Sequence, residues 1–350
     1  MRESSFITLK TGKGFVLLWP ENPLSSMRII TVMAAHGLEL ISGVGDIVLR
    51  YKINSTGELA PLLVNALSEE DLNNTKLLVS KSIDPNIDEF SEMMTLQNLK
   101  EALGSEWLRD MLDDHRFKSL MQPIVDAESK ELHGYEFLFR GYDAVGVEIS
   151  APELLSAASE YKMIEELDRL AGMSAIRTAA HHGIPVRMFI NLLPSSAVGD
   201  DQNLDSWLSL MGELDIDPKT LVLEIVESEA VPDMQKLVDM IEHVRGQGVS
   251  IALDDFGSGF NNIDTMMAIR PDYVKLDKSL IDNIISDNDK HGVVANLVTS
   301  AKKIGVKVIA EGVEDDVTAN VMGVMGVDYF QGHLYGMPEE NPIAAAFDTV

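Results

Sequence analysis

The sequence contains no cysteine, and its acidic residues outnumber its basic residues two to one. Without cysteine, the chain can form no disulfide, no thiolate zinc site and no thiol nucleophile. It has 28 lysine and arginine residues against 56 aspartate and glutamate residues, a formal net charge of −28. Such a surface repels duplex nucleic acid and anionic lipid, so we expect neither a nucleic-acid polymer nor a membrane as partner. An anionic substrate would have to be met by metal ions or by individual basic side chains.

Long hydrophobic runs are also missing. No apolar segment is long enough to cross a bilayer, and no charged and apolar leader opens the sequence. Together with the lack of cysteine, this favours a cytoplasmic protein. The chain has 350 residues, of which 45% are hydrophobic and 24% charged. These values are typical of a soluble protein with either one large α/β barrel or two domains.

The hydrophobic pattern of residues 1–110 is less regular than that of the rest of the chain and predicts a small α/β module. Two short strands at 6–10 and 14–19 flank a turn, and further strand-like runs lie at 46–53 and 76–80. Helical spacing covers 27–37, 59–72 and 90–112. No cluster of metal-ligand residues and no phosphate-binding glycine loop is evident in this region. We therefore interpret it as a regulatory or dimerising module.

Residues 111–350 alternate strand and helix patterns and predict a modified TIM (β/α)8 barrel. The strand-like runs lie at 119–125, 134–139, 186–192, 221–226, 249–253, 273–276, 306–310 and 329–331. Helical patterns separate most of them, at 151–181, 205–212, 234–248, 278–304 and 317–325. Only a hairpin fits between the first two strands, so the first strand should run antiparallel to the second.

Polar side chains recur at or just beyond the ends of these strands. In a barrel the carboxyl ends of the strands converge on one face, where catalytic residues lie. The residues at these positions are Glu136, Arg140, Asn191, Glu224, Glu227, Asp254, Asp255, Lys275, Asp277, Glu311, Glu314 and Gln331. So many carboxylates at one mouth cannot all stay ionised without cations. Oxygen ligands favour Mg²⁺, Mn²⁺ or Ca²⁺ over zinc, and two such ions are typical of displacement at phosphorus.

The adjacent pair Asp254 and Asp255 is the centre of this pattern. An apolar strand ends in the two acids, and a loop with two glycines follows. A solvated Asp-Asp turn would give the same local sequence. The acids on neighbouring strands favour a metal site instead, with Asp254 as a bridging ligand. A metal-dependent phosphodiesterase is the best interpretation, although enolisation chemistry also combines lysine with metal-binding acids.

The motifs at these strands resemble the EAL-domain cyclic di-GMP phosphodiesterases. The signature tripeptide is present as Glu136-Phe137-Leu138, with phenylalanine where alanine is usual. The other matching segments, in the family's order, are 122–125, 189–192, 223–228, 254–260, 274–277, 309–314 and 330–332. The resemblance covers about residues 117 to 340. It implies a barrel with an antiparallel strand and hydrolysis of cyclic di-GMP to linear pGpG with two Mg²⁺ or Mn²⁺ ions, Ca²⁺ being inhibitory.

The resemblance also assigns roles to individual residues. It implies that the ligands of one metal are Glu136, Asn191, Glu224 and Asp254. The second ion would share Asp254 and add Asp255 and Glu311. Lys275 would position or activate the attacking water, with Glu311 as a rival base. Residues near the substrate would be Gln122, Arg140 and Gln331. Residues that brace the neighbouring loops would be Glu227, Asp277 and Glu314.

The family further suggests a homodimer through the barrel face near the Asp254 loop. No expected metal ligand is missing from the sequence. Because side chains alternate along a strand, Phe137 should point away from Glu136 and pack behind the strand. Two alternatives stay open: a catalytically silent EAL module that binds cyclic di-GMP or a protein, and a different metal-dependent phosphoesterase on the same barrel.

Overall fold

The computed structural model describes residues 14–42, 48–53, 56–193, 202–226, 234–257 and 263–343. The chain separates into two units, Met1–Asp110 and Met111–Val350. The expected strand at 6–10 lies outside the described residues. Within the described ranges, no helix combines the length and the apolarity that crossing a membrane requires.

The described part of the first unit is built on a five-stranded antiparallel sheet of β1 (Gly14–Trp19), β2 (Leu40–Ser42), β3 (Leu49–Ile53), β4 (Lys76–Ser80) and β5 (Met94–Thr95). The strand order in the sheet is β2-β3-β1-β4-β5. Its helices are α1 (Pro23–Ala35), α2 (Thr56–Ala66), α3 (Glu69–Asn74) and α4 (Leu96–Gly104), with a 3-10 turn at Ile87–Glu92. Buried residues of the strands and helices form one apolar cluster. The predicted small α/β module is therefore confirmed.

Two long helices expected in this unit are each interrupted by a capping residue. The expected helix at 59–72 divides at Ser68, whose hydroxyl accepts from the Asp71 backbone in a capping box. The expected helix at 90–112 divides at Thr95, the last residue of β5, which pairs with Lys76 of β4 and caps α4. A further helix, α5 (Glu106–Asp113), follows α4. Capping residues are polar and short, so periodicity alone did not separate these helices.

The second unit contains a closed barrel, and this confirms the predicted fold. Among the described residues its strands are β6 (Phe117–Asp126), β7 (Leu132–Tyr142), β9 (Arg187–Leu192), β10 (Leu221–Ile225), β11 (Ser250–Phe256), β12 (Tyr273–Leu276), β13 (Lys307–Ala310) and β14 (Tyr329–Gln331). The first strand, β6, pairs antiparallel with both β7 and β14 and so closes the ring. A short strand, β8 (Glu148–Ile149), extends the sheet beside β7.

The helices of this unit are α6 (Ala151–Glu160), α7 (Ile164–His182), α8 (Gln202–Glu213), α9 (Met234–Arg245), α10 (Ile263–Ile269), α11 (Lys278–Ile281), α12 (Asn288–Lys303) and α13 (Asp316–Met325). A 3-10 turn at Pro218–Thr220 precedes β10. The helix expected at 151–181 is two helices, because Lys162 takes a left-handed conformation with a φ of 56°. The helix expected at 278–304 is also two, with Asp287 capping the second.

Two apolar layers support the barrel. The larger one lies between the strands and the helices and includes Phe137, which confirms that this side chain packs away from Glu136. The smaller one consists of Ile124, Phe189, Val222, Ala252, Tyr273 and Ile309. Each of these residues stands two positions from a polar residue of the barrel interior, which lies on the same strand or, for Ile309, just beyond its end. Side chains two positions apart face the same side of a sheet. The smaller apolar layer therefore lies inside the barrel, directly beneath the polar residues.

Candidate active site

The polar residues of the barrel interior converge on the ammonium group of Lys275, which is 1% exposed. Its Nζ lies 3.2 Å from Oε2 of Glu136 and 3.0 Å from Oε1 of Glu224. The same nitrogen lies 3.1 Å from Oδ1 of Asp254 and 2.7 Å from Oε1 of Glu311. These residues come from β7, β10, β11, β12 and the loop after β13. One buried cation therefore contacts four of the predicted metal ligands.

The charges of this cluster are strongly coupled. Burial would lower the pKa of Lys275, but the surrounding carboxylates outweigh it and raise that pKa well above its ordinary value. Burial also raises the pKa of Glu224 well above its usual range, and it raises the pKa of Glu311 to about 8, in both cases against the attraction of Lys275. A single lysine thus does not neutralise all the carboxylates. The cluster has an excess of negative charge that a proton or a cation would relieve.

Amide side chains hold Glu136 in place. Nε2 of Gln331 donates to Oε2 of Glu136 at 2.6 Å and to Oε1 of Gln122 at 3.2 Å. Nδ2 of Asn191 donates to Oε1 of Glu136 at 3.2 Å. These bonds and the charge of Lys275 overcome the effect of burial and lower the pKa of Glu136. Gln122 in turn donates to the carbonyl of Gly336 at 3.3 Å.

The Asp254–Asp255 pair owes its geometry to a bulge in β11. In a regular strand two successive side chains point to opposite faces. The pairing of β11 with β12 shifts between Leu253 and Phe256, and Asp255 has a φ of 51°. Aspartate tolerates this left-handed conformation better than most residues. As a result both carboxylates approach Glu311, and one oxygen from each of the three residues lies within 4.8 Å of the others.

The donor set fits a hard divalent cation. Asp254, Asp255 and Glu311 supply three carboxylates in one place. Glu224 is fully buried, and within the described residues its Oε2 has no hydrogen-bond donor. A buried carboxylate oxygen without a donor is costly unless a cation or a proton binds it. Carboxylate and amide oxygens are the ligands that Mg²⁺ and Mn²⁺ prefer.

Arg140, predicted to contact the substrate, lies near the end of β7 outside this cluster. Its Nη1 donates to the carbonyl of Phe139 at 2.9 Å, and its Nε lies 3.3 Å from Oε1 of Glu148. Glu148 is not among the residues predicted for the site. The sequence feature that could have identified Glu148 is Gly146, because a turn at this glycine after β7 brings the following residues back alongside Arg140.

Two of the predicted bracing residues, Asp277 and Glu314, stand apart from the carboxylate cluster. Asp277 caps α11 by accepting from the Ser279 backbone. Glu314 is half exposed and forms an ion pair with Lys278 at 2.6 Å. Neither residue contacts the cluster in the interactions that the structure describes. Glu227 lies outside the described residues.

An apolar cavity of about 210 Å³ adjoins the site. Strands β7 and β9 and helices α6 and α7 form its walls, and Asn191 and Arg140 are among the residues that line it. Its other lining side chains are mostly aliphatic or aromatic, with one carboxylate from Asp168. Apolar walls with a few polar groups are typical of sites for small organic ligands.

Comparison with known proteins identifies related chains. The EAL domain profile matches residues 105–338. The cyclic di-GMP phosphodiesterase PdeL of Escherichia coli (strain K12) is 29% identical over 234 residues, which are 65% of this chain and 64% of PdeL. The chain thus spans less than two thirds of the length of this relative.

Solved structures share the barrel. An EAL protein from Vibrio cholerae O395 in its c-di-GMP bound form is 26% identical, with a TM-score of 0.58. That match covers 64% of this chain and 93% of the other. The PaMucR phosphodiesterase in complex with c-di-GMP has a TM-score of 0.62 at 24% identity. It covers 68% of this chain and 97% of the other, and supports the fold alone.

Proposed function

The chain belongs to the EAL domain family, and from that premise we propose that it hydrolyses cyclic di-GMP to linear pGpG with two divalent cations, Mg²⁺ or Mn²⁺. The observation that carries this proposal is the convergence of four carboxylates on the buried ammonium of Lys275. A structural ion pair needs one carboxylate, whereas a site for cations needs several. The names of PdeL and of the EAL protein from Vibrio cholerae O395 in its c-di-GMP bound form support the substrate.

We propose that the first ion takes its oxygens from Glu136, Asn191, Glu224 and Asp254. The second would share Asp254 and add Asp255 and Glu311, which already lie together. When bound, such ions stabilise negative charge on the phosphodiester and make a water more acidic. The bulge in β11 supports this assignment because it directs two successive carboxylates to one place.

The roles of the chain's own residues follow from their positions. Lys275 carries a proton in a dry site and can orient a water by hydrogen bonding. Burial raises the pKa of Glu311 to about 8, so its carboxyl can exchange a proton near neutral pH, and its ionised form is the one that accepts. Gln122 and Gln331 would keep Glu136 in its ionised and oriented form. Arg140 would hold a phosphate oxygen, since a guanidinium matches phosphate geometry.

For the remainder of the chain we propose a regulatory or dimerising role for residues 1–110. We also propose a homodimer through the barrel face near the Asp254 loop, where Glu227 would brace the loop. A molar mass measured by light scattering tests the dimer. A monomeric mass at micromolar concentration would contradict it.

A nucleotide assay tests the proposed activity. Purified protein is incubated with cyclic di-GMP and either Mg²⁺, Mn²⁺ or Ca²⁺, and the products are separated by chromatography. We expect pGpG with Mg²⁺ or Mn²⁺, little product with Ca²⁺, and none for Glu136→Ala. Tight calorimetric binding of cyclic di-GMP without any pGpG would instead indicate a silent receptor module. Turnover of other phosphodiesters but not of cyclic di-GMP would indicate a different phosphoesterase.

A further inference from the structure

The ion pair between Arg140 and Glu148 is fixed by a hairpin. Strands β7 and β8 pair Tyr142 with Glu148, and Arg140 stands two residues before Tyr142 on the same face. Arg140 and Glu148 are therefore diagonal neighbours, a position from which long side chains meet. The turn between them is held by Asp143, whose Oδ1 accepts from the backbones of Val145 and Val147 at 2.9 and 2.8 Å. Glu148 is thus held beside Arg140 by the backbone.

We propose that Glu148 sets the affinity for the substrate by competing with its phosphate for Arg140. This inference rests on the proposed function, in which Arg140 holds a phosphate oxygen. A carboxylate and a phosphate bind the guanidinium through the same N–H groups. The Arg140 side chain is 21% exposed and that of Glu148 51%, so an incoming anion can reach the pair and displace the carboxylate.

The strength of the pair limits the size of the effect. Partly exposed ion pairs are weak, because water screens the charges and two side chains lose freedom. Glu148 therefore reduces substrate affinity without preventing binding. Removing its charge also raises the positive potential at Arg140, in a chain whose formal net charge is −28. Both effects act in the same direction and strengthen the binding of an anionic substrate.

Steady-state kinetics with cyclic di-GMP test this role. The variants are Glu148→Gln, which can keep a hydrogen bond to Arg140, and Glu148→Ala, which cannot. We expect both to lower KM by roughly two- to fivefold with kcat unchanged. The gain should shrink at high ionic strength, because salt screens exposed charges. Glu153→Gln is the matched control, since it removes the same charge from the exposed first turn of α6 and should leave KM unchanged.

The outcomes separate this inference from the proposed function. An unchanged KM in both Glu148 variants, or a rise in either, would overturn competition by Glu148 while leaving the hydrolase activity established. A rise in Glu148→Ala alone would show that Glu148 orients Arg140. If the wild type binds cyclic di-GMP without hydrolysing it, the same shift is expected in the calorimetric Kd. If it neither binds nor hydrolyses cyclic di-GMP, both proposals fail.

Discussion

The ammonium nitrogen of Lys275 lies 2.7 Å from Oε1 of Glu311, and this is the shortest of its four carboxylate contacts. Glu311 is also one of the three acids that could hold a divalent cation. The lysine therefore lies between two groups of carboxylates. One group is Glu136 and Glu224, and the other is Asp254, Asp255 and Glu311. A change in the charge of one group therefore changes the electrostatic energy of the other group through Lys275.

Replacing Lys275 by methionine should destabilise the cation-free protein. The buried carboxylates would lose their common partner, and removing one member of such a cluster costs on the order of 3–5 kcal/mol. Millimolar Mg²⁺ should restore more stability in Lys275→Met than in the wild type, because the ion replaces the missing charge. Hydrolysis should fall by roughly 100-fold or more, since a positioned proton donor is lost.

Thermal denaturation with and without Mg²⁺ gives the first result, and a pGpG assay the second. Lys307→Met is the control, because Lys307 is half exposed and contacts Asp328 at 2.9 Å outside the cluster. Losing the Lys307–Asp328 ion pair should lower the free energy of unfolding by less than about 1 kcal/mol. Equal melting curves for the two variants would contradict the importance given to Lys275.

Asp255 can be tested for its backbone and its charge separately. Asparagine tolerates the left-handed conformation, so Asp255→Asn should fold with equal or higher stability because one like charge is removed. A β-branched residue does not, and Asp255→Val should lose about 1–2 kcal/mol. Both variants should bind Mn²⁺ roughly 10- to 100-fold more weakly, since a charged ligand is missing. Calorimetry with Mn²⁺ and chemical denaturation distinguish the two effects; identical stabilities would contradict the strained bulge.

Gly332→Ala should disturb the strand that carries Gln331. A Cβ at this position would overlap the backbone of Val313, which cannot move aside as a flexible side chain would. Val313 is itself bound to Gln331 through its N–H at 3.0 Å. We expect a loss of about 1–3 kcal/mol, as in overpacked cores, together with weaker Mn²⁺ binding. Gly212→Ala is the control: it lies in α8 with open space around it and should be neutral or stabilising.

His133 should make stability depend on pH. Burial lowers its pKa to about 4, and its ring stacks on Tyr329 at 3.9 Å and contacts the Tyr273 hydroxyl at 3.2 Å. Because the folded pKa lies below that of the unfolded chain, protonation favours unfolding. The stabilisation is complete above the unfolded pKa and is lost as pH falls towards 4. With partial exposure taken into account, we expect a loss of about 1–2 kcal/mol.

The comparison with His133→Phe isolates this effect. Phenylalanine keeps the ring contact with Tyr329 and cannot titrate. Melting temperatures between about pH 7 and about pH 4 should fall more steeply for the wild type than for the variant. Carboxylates of the candidate active site are present in both proteins, so only the difference between the two curves is informative. Parallel curves would show that His133 is not responsible.

Much of the barrel could be predicted from the sequence, because its strands are short apolar runs that end in polar residues. The antiparallel first strand followed from the lack of room for a helix between residues 126 and 133. The ends of the helices were harder to predict from the sequence. The break at Lys162 contains neither glycine nor proline, and a left-handed lysine leaves no mark in a hydrophobic pattern.

The site was predictable in composition and less so in geometry. The acids at the strand ends showed which residues could meet, but not that Lys275 lies between four of them. Alternation alone would separate Asp254 from Asp255, and only the bulge brings their carboxylates to one place. Glu148 escaped notice because its importance depends on a two-residue strand, which is too short for periodicity to detect.

The antiparallel pairing of β6 with β14, which closes the barrel, has a consequence for folding during synthesis. Gln122 and Gln331 meet across it although they are 209 positions apart in the chain. A ribosome adding 5–20 residues per second needs about 10–40 s to produce the second partner after the first. Throughout that interval the ring cannot close, because β14 has not been synthesised, and Glu136 lacks its hydrogen bond from Gln331. The hydrogen bond that orients Glu136 therefore forms only after all the carboxylates and Lys275 have been synthesised, so the candidate active site is complete only when the whole ring has been made.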